Sequence, residues 1–110
     1  MTYKNTNKIQ TITNILKEKL SQVYKNKLDQ LILFGSQARG DARKNSDIDI
    51  LVVLKDEINP VKEIKRNNDL ISEICLEYDE DINCFYIGTK ELENPDNLLL
   101  KNINKEGIIL

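Results

Sequence analysis

Asp47 and Asp49 stand one residue apart at the start of an apolar run that continues to Leu54. Side chains two apart on a strand point the same way, roughly 6.5–7 Å apart along the chain. Two carboxylates so placed can converge on one ion or on a close pair of ions, and hard oxygen ligands of this kind suit Mg²⁺ or Mn²⁺. Ile48, between them, points to the opposite face and can anchor the strand in a core. Taken alone, the pair equally suits a solvated strand mouth, and Ser46 before it a turn. A second feature lies upstream, where Gly35-Ser36 ends another apolar run. A glycine there lets backbone come close to a ligand. If the chain turns helical at Ser36, its free N–H groups and hydroxyl form an anion site. Arg39, about one turn onward, could then reach a phosphate oxygen. Arg43 and Lys44 read most simply as a solvated loop. A phosphate cradle and a metal-binding acid pair on adjacent strands are what phosphoryl or nucleotidyl transfer requires.

The chemistry that is missing narrows the choice. The chain has no histidine, so the commonest general base and serine–histidine nucleophilic catalysis are both excluded. Its two cysteines, Cys75 and Cys84, form no metal-ligand spacing and read as reduced, largely buried thiols.

The elements that must hold these residues follow from apolar spacing. Ile9, Ile12, Ile15, Leu16, Leu20 and Val23 recur at three- and four-residue steps, which predicts a helix over Lys8 to Tyr24. Leu28 to Phe34 and Asp47 to Leu54 read as strands. The second is apolar on both faces, so it should be central and covered on both sides. Asn59-Pro60 reads as an N-cap with proline at the first helical position. The helix it opens runs to about Glu77, with Ile64, Ile71, Ile74, Cys75 and Tyr78 inward. A third strand spans Asp81 to Ile87. Asn94-Pro95 repeats the cap signal and predicts a short helix through Leu98 and Leu99. Gly107 ends it, and Ile108-Ile109-Leu110 forms an apolar tail that suits a last strand or packed end better than an interface. The order predicts an α/β or α+β fold, a sheet with helices packed on it.

At 110 residues the chain suits one domain over 1–110. A net charge of −2 gives no reason to expect direct nucleic-acid binding. No run reaches membrane-spanning length, and the N-terminal stretch MTYKNTNKIQ lacks a signal-peptide core, so a cytoplasmic protein is expected.

The stretch Gly35-Ser36-Gln37-Ala38-Arg39-Gly40, followed by Ser46-Asp47-Ile48-Asp49, resembles the signature of the DNA polymerase β-like nucleotidyltransferase superfamily. It resembles most the minimal nucleotidyltransferases, whose loop reads Gly-Ser-x-Ala-Arg-Gly. The resemblance implies a nucleotidyltransferase core, a small mixed β-sheet flanked by helices, in which Gly35 and Ser36 bind the phosphates of ATP, with Arg39 and Ser46 beside them. Asp47 and Asp49 would hold Mg²⁺, two ions in the family pattern, with Mn²⁺ as an alternative. A third carboxylate on a later strand is expected, as base or metal ligand. Asp81 is the best candidate; Asp79 and Glu80 are weaker, and Asn83 shares its face but cannot ionise. Many minimal nucleotidyltransferases are antitoxins that attach AMP to a tyrosine of a helical HEPN-domain toxin. The resemblance therefore implies a HEPN partner and an adenylyltransferase acting on it.

Two alternatives stay open. A nucleotide-binding or toxin-neutralising subunit with little chemistry would follow if the third acid is absent. A small-molecule nucleotidyltransferase would need an acceptor domain beyond this core. The small size also suggests that a second subunit, a helical partner or another copy in a homo-oligomer, completes the site.

Overall fold

The computed structural model describes residues 6–43 and 46–110. Residues 1–5 of the stretch read for a signal peptide, and Lys44 of the basic loop, lie outside them. Helix α1 (Thr6–Tyr24) leads through a 3-10 turn (Lys25–Lys27) into strand β1 (Leu28–Phe34). A one-turn helix α2 (Ser36–Arg39), strand β2 (Ile48–Leu54), helix α3 (Pro60–Tyr78) and strand β3 (Ile82–Gly88) follow. Helices α4 (Thr89–Glu93) and α5 (Leu98–Glu106) and the short strand β4 (Ile108–Ile109) complete the chain.

The sheet order is β3-β2-β1-β4. Strand β1 runs antiparallel to β2 and β4, and β2 runs parallel to β3, so the sheet is mixed, as expected. Parallel neighbours need a crossover, and α3 supplies it. Strand β2 is central. Ile48, Ile50 and Val52 pack beneath Ile12, Leu16 and Leu20 of α1 and Ile74 of α3. Leu51 and Val53 on the opposite face pack against Leu92 of α4 and Leu100 and Ile103 of α5. Its near-continuous apolar run is thus explained by burial on both sides. The tail Ile108–Ile109 pairs with Ile32 and Leu33 and forms one edge of the sheet.

Three expectations need correction. Val23 is exposed and Tyr24 is buried, because the α1 stripe runs in four-residue steps through Ile12, Leu16, Leu20 and Tyr24. Ile64 is exposed too, because the inner face of α3 passes through Glu63 and Asn67, which are polar yet buried. The last helix is capped by Asn97 rather than Asn94: Asn97 Oδ1 accepts the Leu100 N–H at 2.9 Å. Asn94 instead ends α4, an element the sequence reading did not contain. Leu98 and Leu99 accordingly lie exposed on the first turn of α5. The cap at Asn59 is as expected, its side chain accepting from Val61 and Lys62 N–H.

Glu63 and Asn67 earn their buried places through one hydrogen-bonded cluster. Tyr24 donates to Glu63 Oε1 at 2.7 Å, and Asn67 Nδ2 donates to the Tyr24 and Tyr86 hydroxyl oxygens at 2.7 and 3.2 Å. Arg66 Nε also donates to Glu63 Oε1, at 3.0 Å. The cluster ties α1, α3 and β3 together. Burial raises the pKa of both tyrosines well above the usual range, with Glu63 adding to the effect at Tyr24. Among the described residues Asn67 Oδ1 has no hydrogen-bond partner. No helix among the described residues is long and apolar enough to cross a membrane.

Candidate active site

The two sequence features meet at one end of the sheet. Strand β1 ends opposite the start of β2, with Phe34 paired to Asp49. The next residue, Gly35, has φ +75°, a region that favours glycine. A Cβ there would lie 2.5 Å from Asp49 Oδ2, so any side chain would force the Asp49 carboxylate to shift. The glycine of the loop and the second aspartate are therefore in direct contact across the strands. Each constrains what can occupy the other position.

The chain turns helical at Ser36, as the phosphate-cradle reading requires. Gly35 O accepts from Ala38 and Arg39 N–H, each at 3.1 Å. The N–H groups of Ser36 and Gln37 precede these first helical bonds. Gly40, at φ +81°, closes the turn by donating to Ser36 O at 3.0 Å. Arg39 lies at the surface and pairs with Asp41, Nε to Oδ2 at 3.2 Å. Ser46 is held by two hydrogen bonds: its Oγ accepts the Arg43 N–H at 2.8 Å, and its carbonyl accepts from Gln37 Nε2 at 3.4 Å.

The acid pair is oriented from the third strand. Asp49 is paired with Asn83 across β2 and β3. Asn83 Nδ2 donates to Asp47 Oδ2 at 2.9 Å and to Asp49 Oδ1 at 3.3 Å. Both carboxylates therefore face the same point, as their spacing predicts. Asp81 is exposed, and its contact with the acid strand is through its backbone, whose carbonyl accepts the Ile48 N–H at 2.8 Å. Among the described residues no group of three acidic, cysteine or histidine side chains is arranged to hold a metal ion. The side chain touching both aspartates is the neutral Asn83. Alternation puts it on the face of Asp81, and pairing across β2 and β3 is what brings it onto the acids.

The donor set still fits a small divalent cation. Two carboxylate oxygens already converge on one small donor, the Asn83 amide. Mg²⁺ commonly takes one or two carboxylates and completes its shell with phosphate oxygens and water. Cys84, two strand positions before Tyr86, is pushed up to about 12 by burial and is therefore a neutral thiol outside this chemistry.

Residues 9–108 match the model of the nucleotidyltransferase domain family. The chain belongs to that family. A protein of Methanocaldococcus jannaschii, named as a protein adenylyltransferase, is 43% identical over 63 residues, 57% of this chain and 63% of its own length. The chain thus spans less than two thirds of that relative. A second protein of the same organism, with the same name, is 35% identical over 104 residues, 93% of each chain. Among solved structures, a toxin–antitoxin crystallised with AMP-PNP superposes with a TM-score of 0.59 and 25% identity, covering 96% of this chain and 72% of its own. A Shewanella oneidensis complex of a tri-AMPylated HEPN toxin with its MNT antitoxin shares the fold, with a TM-score of 0.54 and 20% identity over 93% of this chain and 70% of the other.

Proposed function

We propose that this chain transfers AMP from ATP to a hydroxyl on a partner protein, with a tyrosine of a HEPN-type toxin as the acceptor, and so acts as an antitoxin. The observation that carries this reading is the abutment of Gly35 on Asp49 beside an acid pair whose oxygens converge. It supports reading the Gly35–Ser36 turn as the phosphate site and the adjoining acid pair as the cation site. The names of the relatives and the nucleotide-bound toxin–antitoxin neighbour agree with it.

Ser36 and Gln37 N–H would bind the terminal phosphates, with the Ser36 hydroxyl beside them. Arg39 would leave Asp41 to meet a phosphate oxygen, a charge-assisted bond stronger than its exposed ion pair. Ser46, whose Oγ accepts the Arg43 N–H, would add its hydroxyl to the phosphate site. Asp47 and Asp49 would hold Mg²⁺, which when bound neutralises triphosphate charge and lowers the barrier to displacement. The acceptor oxygen bonds to the α-phosphorus as that atom's bond to the bridging oxygen breaks. Pyrophosphate leaves with the electron pair. The hydroxyl proton passes to Asp47, the more exposed acid, and on to water. Asp81, whose backbone carbonyl accepts the Ile48 N–H, is the candidate third carboxylate for that proton transfer.

The test is incubation with Mg²⁺ and α-³²P-labelled ATP, alone and with a co-encoded helical partner, beside the Asp47→Asn/Asp49→Asn variant. Label on the partner that the variant fails to transfer supports the reading. One observation favours a second reading, a binding subunit with little turnover: Asn83 stands where a third acid would help most. Neutralised toxin without any label would select it.

A further inference from the structure

We propose that the acceptor enters along the free edge of β3 and that Phe85 is the residue that positions it, an inference that rests on the transfer reaction proposed above. In-line displacement puts the incoming oxygen and the departing pyrophosphate on opposite sides of the phosphorus. Across the sheet the order is the Gly35–Ser36 turn at the end of β1, the acids on β2, then Asn83 on β3. Pyrophosphate held at the turn therefore leaves toward β1. The acceptor must come from the β3 side.

That side is built to receive an apolar group. Phe85 lies one strand repeat from Asn83, roughly 6.5–7 Å, on the same face as the acids. It is 48% exposed although it is a large aromatic residue on a sheet. Its ring packs on Phe34 with centroids 5.7 Å apart, tilted by 56°. Phe34 is in turn the cross-strand partner of Asp49. The ring pair and the acid pair thus share one wall. An aromatic side chain stacked on Phe85 would direct a terminal hydroxyl back toward Asp47 and Asp49, whereas a serine would be too short to use the ring.

The edge itself matches a polypeptide. Strand β3 pairs only with β2 among the described strands, so its outer N–H and C=O groups face away from the sheet. A shallow groove of about 260 Å³ runs beside it, lined by residues 82–86 and by Ile64, Asn68 and Ile71 of α3. An extended segment can add there as a fifth strand, held by main-chain hydrogen bonds. The occupant we assign is an extended acceptor segment carrying a tyrosine.

The probes are three short acetylated and amidated peptides, identical except for tyrosine, phenylalanine or serine at the centre. Each is titrated into ¹⁵N-labelled protein with Mg²⁺ and AMP-PNP. Shifts are expected on β3 and on residues 64–71 of α3. The tyrosine and phenylalanine peptides should bind at least tenfold more tightly than the serine peptide. Phe85→Ala should erase that difference while AMP-PNP affinity is retained, and Phe85→Trp should restore it. Absence of peptide binding, shifts on other elements, or an Ala variant that still discriminates would overturn the proposal. AMP transfer from ATP is then read on the same peptides. Binding at β3 without transfer would count against the proposed function and leave the docking edge standing.

Discussion

Asn83 decides how the two aspartates behave. Its amide donates to both carboxylates and so holds together two like charges that would otherwise repel. Asn83→Asp replaces that donor with a third negative charge. Its melting temperature without divalent ions should fall below wild type and recover with Mg²⁺ by more than wild type gains, as read by thermal shift. An equal response in both proteins would argue against ion binding between the acids. Asp49→Asn should lower AMP transfer by about a hundredfold or more, the scale of losing a principal electrostatic group, with an unchanged circular dichroism spectrum. Gly35→Ala is a different kind of change. The new methyl meets Asp49 Oδ2 and the backbone has positive φ. A loss of about 1–3 kcal/mol in denaturant unfolding is expected, together with weaker AMP-PNP binding.

The elements were legible wherever apolar spacing was strong, and misread where a polar signal occurred twice. Strand β1 has the expected bounds, and β2 and α3 differ from expectation by a residue at one end. The final helix was misplaced because Asn94-Pro95 and Asn97 both offer a cap. Only the packing of Leu100 and Ile103 against Ile32 and Leu51 chooses between them. Asn97→Ala should therefore cost about 1 kcal/mol, and Asn94→Ala should be close to neutral in urea unfolding. Ile64 was misread for a related reason. Glu63 and Asn67 are polar, so a hydrophobic pattern does not count them as inner positions. They are inner because two tyrosines, from α1 and β3, meet them there.

That meeting makes the whole molecule sensitive to alkali. Tyr24, Tyr86 and Cys84 all hold their protons more tightly folded than unfolded, chiefly because burial penalises the charged form. Below the unfolded-state pKa values, about 8.5 for cysteine and 10 for tyrosine, both states are protonated and the fold keeps its full stability. Above them the unfolded chain releases protons that the native state retains. Stability should then fall with a limiting slope of about 1.4 kcal/mol per pH unit for each such group. Urea midpoints measured from pH 7 to 11 should decline first above pH 8.5. Phe substituted for Tyr24 would flatten part of the decline. A flat profile would show that burial does not hold these protons.

From the sequence alone came the loop and acid signature, the central strand, and the expectation of a sheet flanked by helices, because each depends on residue type and short-range spacing; that the sheet is mixed was implied by the family resemblance the signature carries. Gly35, Ser36, Asp47 and Asp49 are separated by few residues, and strand alternation puts both acids on one face. The tertiary structure decided what long-range pairing controls. The β2–β3 register put Asn83 on the acid pair, while among the described residues the Asp81 side chain makes no hydrogen bond or ion pair there. The meeting of β1 with β2 set Gly35 against Asp49, and packing of Phe34 on Phe85 placed an aromatic wall beside the site. None of these contacts has a periodic signal in the chain. Each arises because strands distant in sequence become neighbours in the sheet.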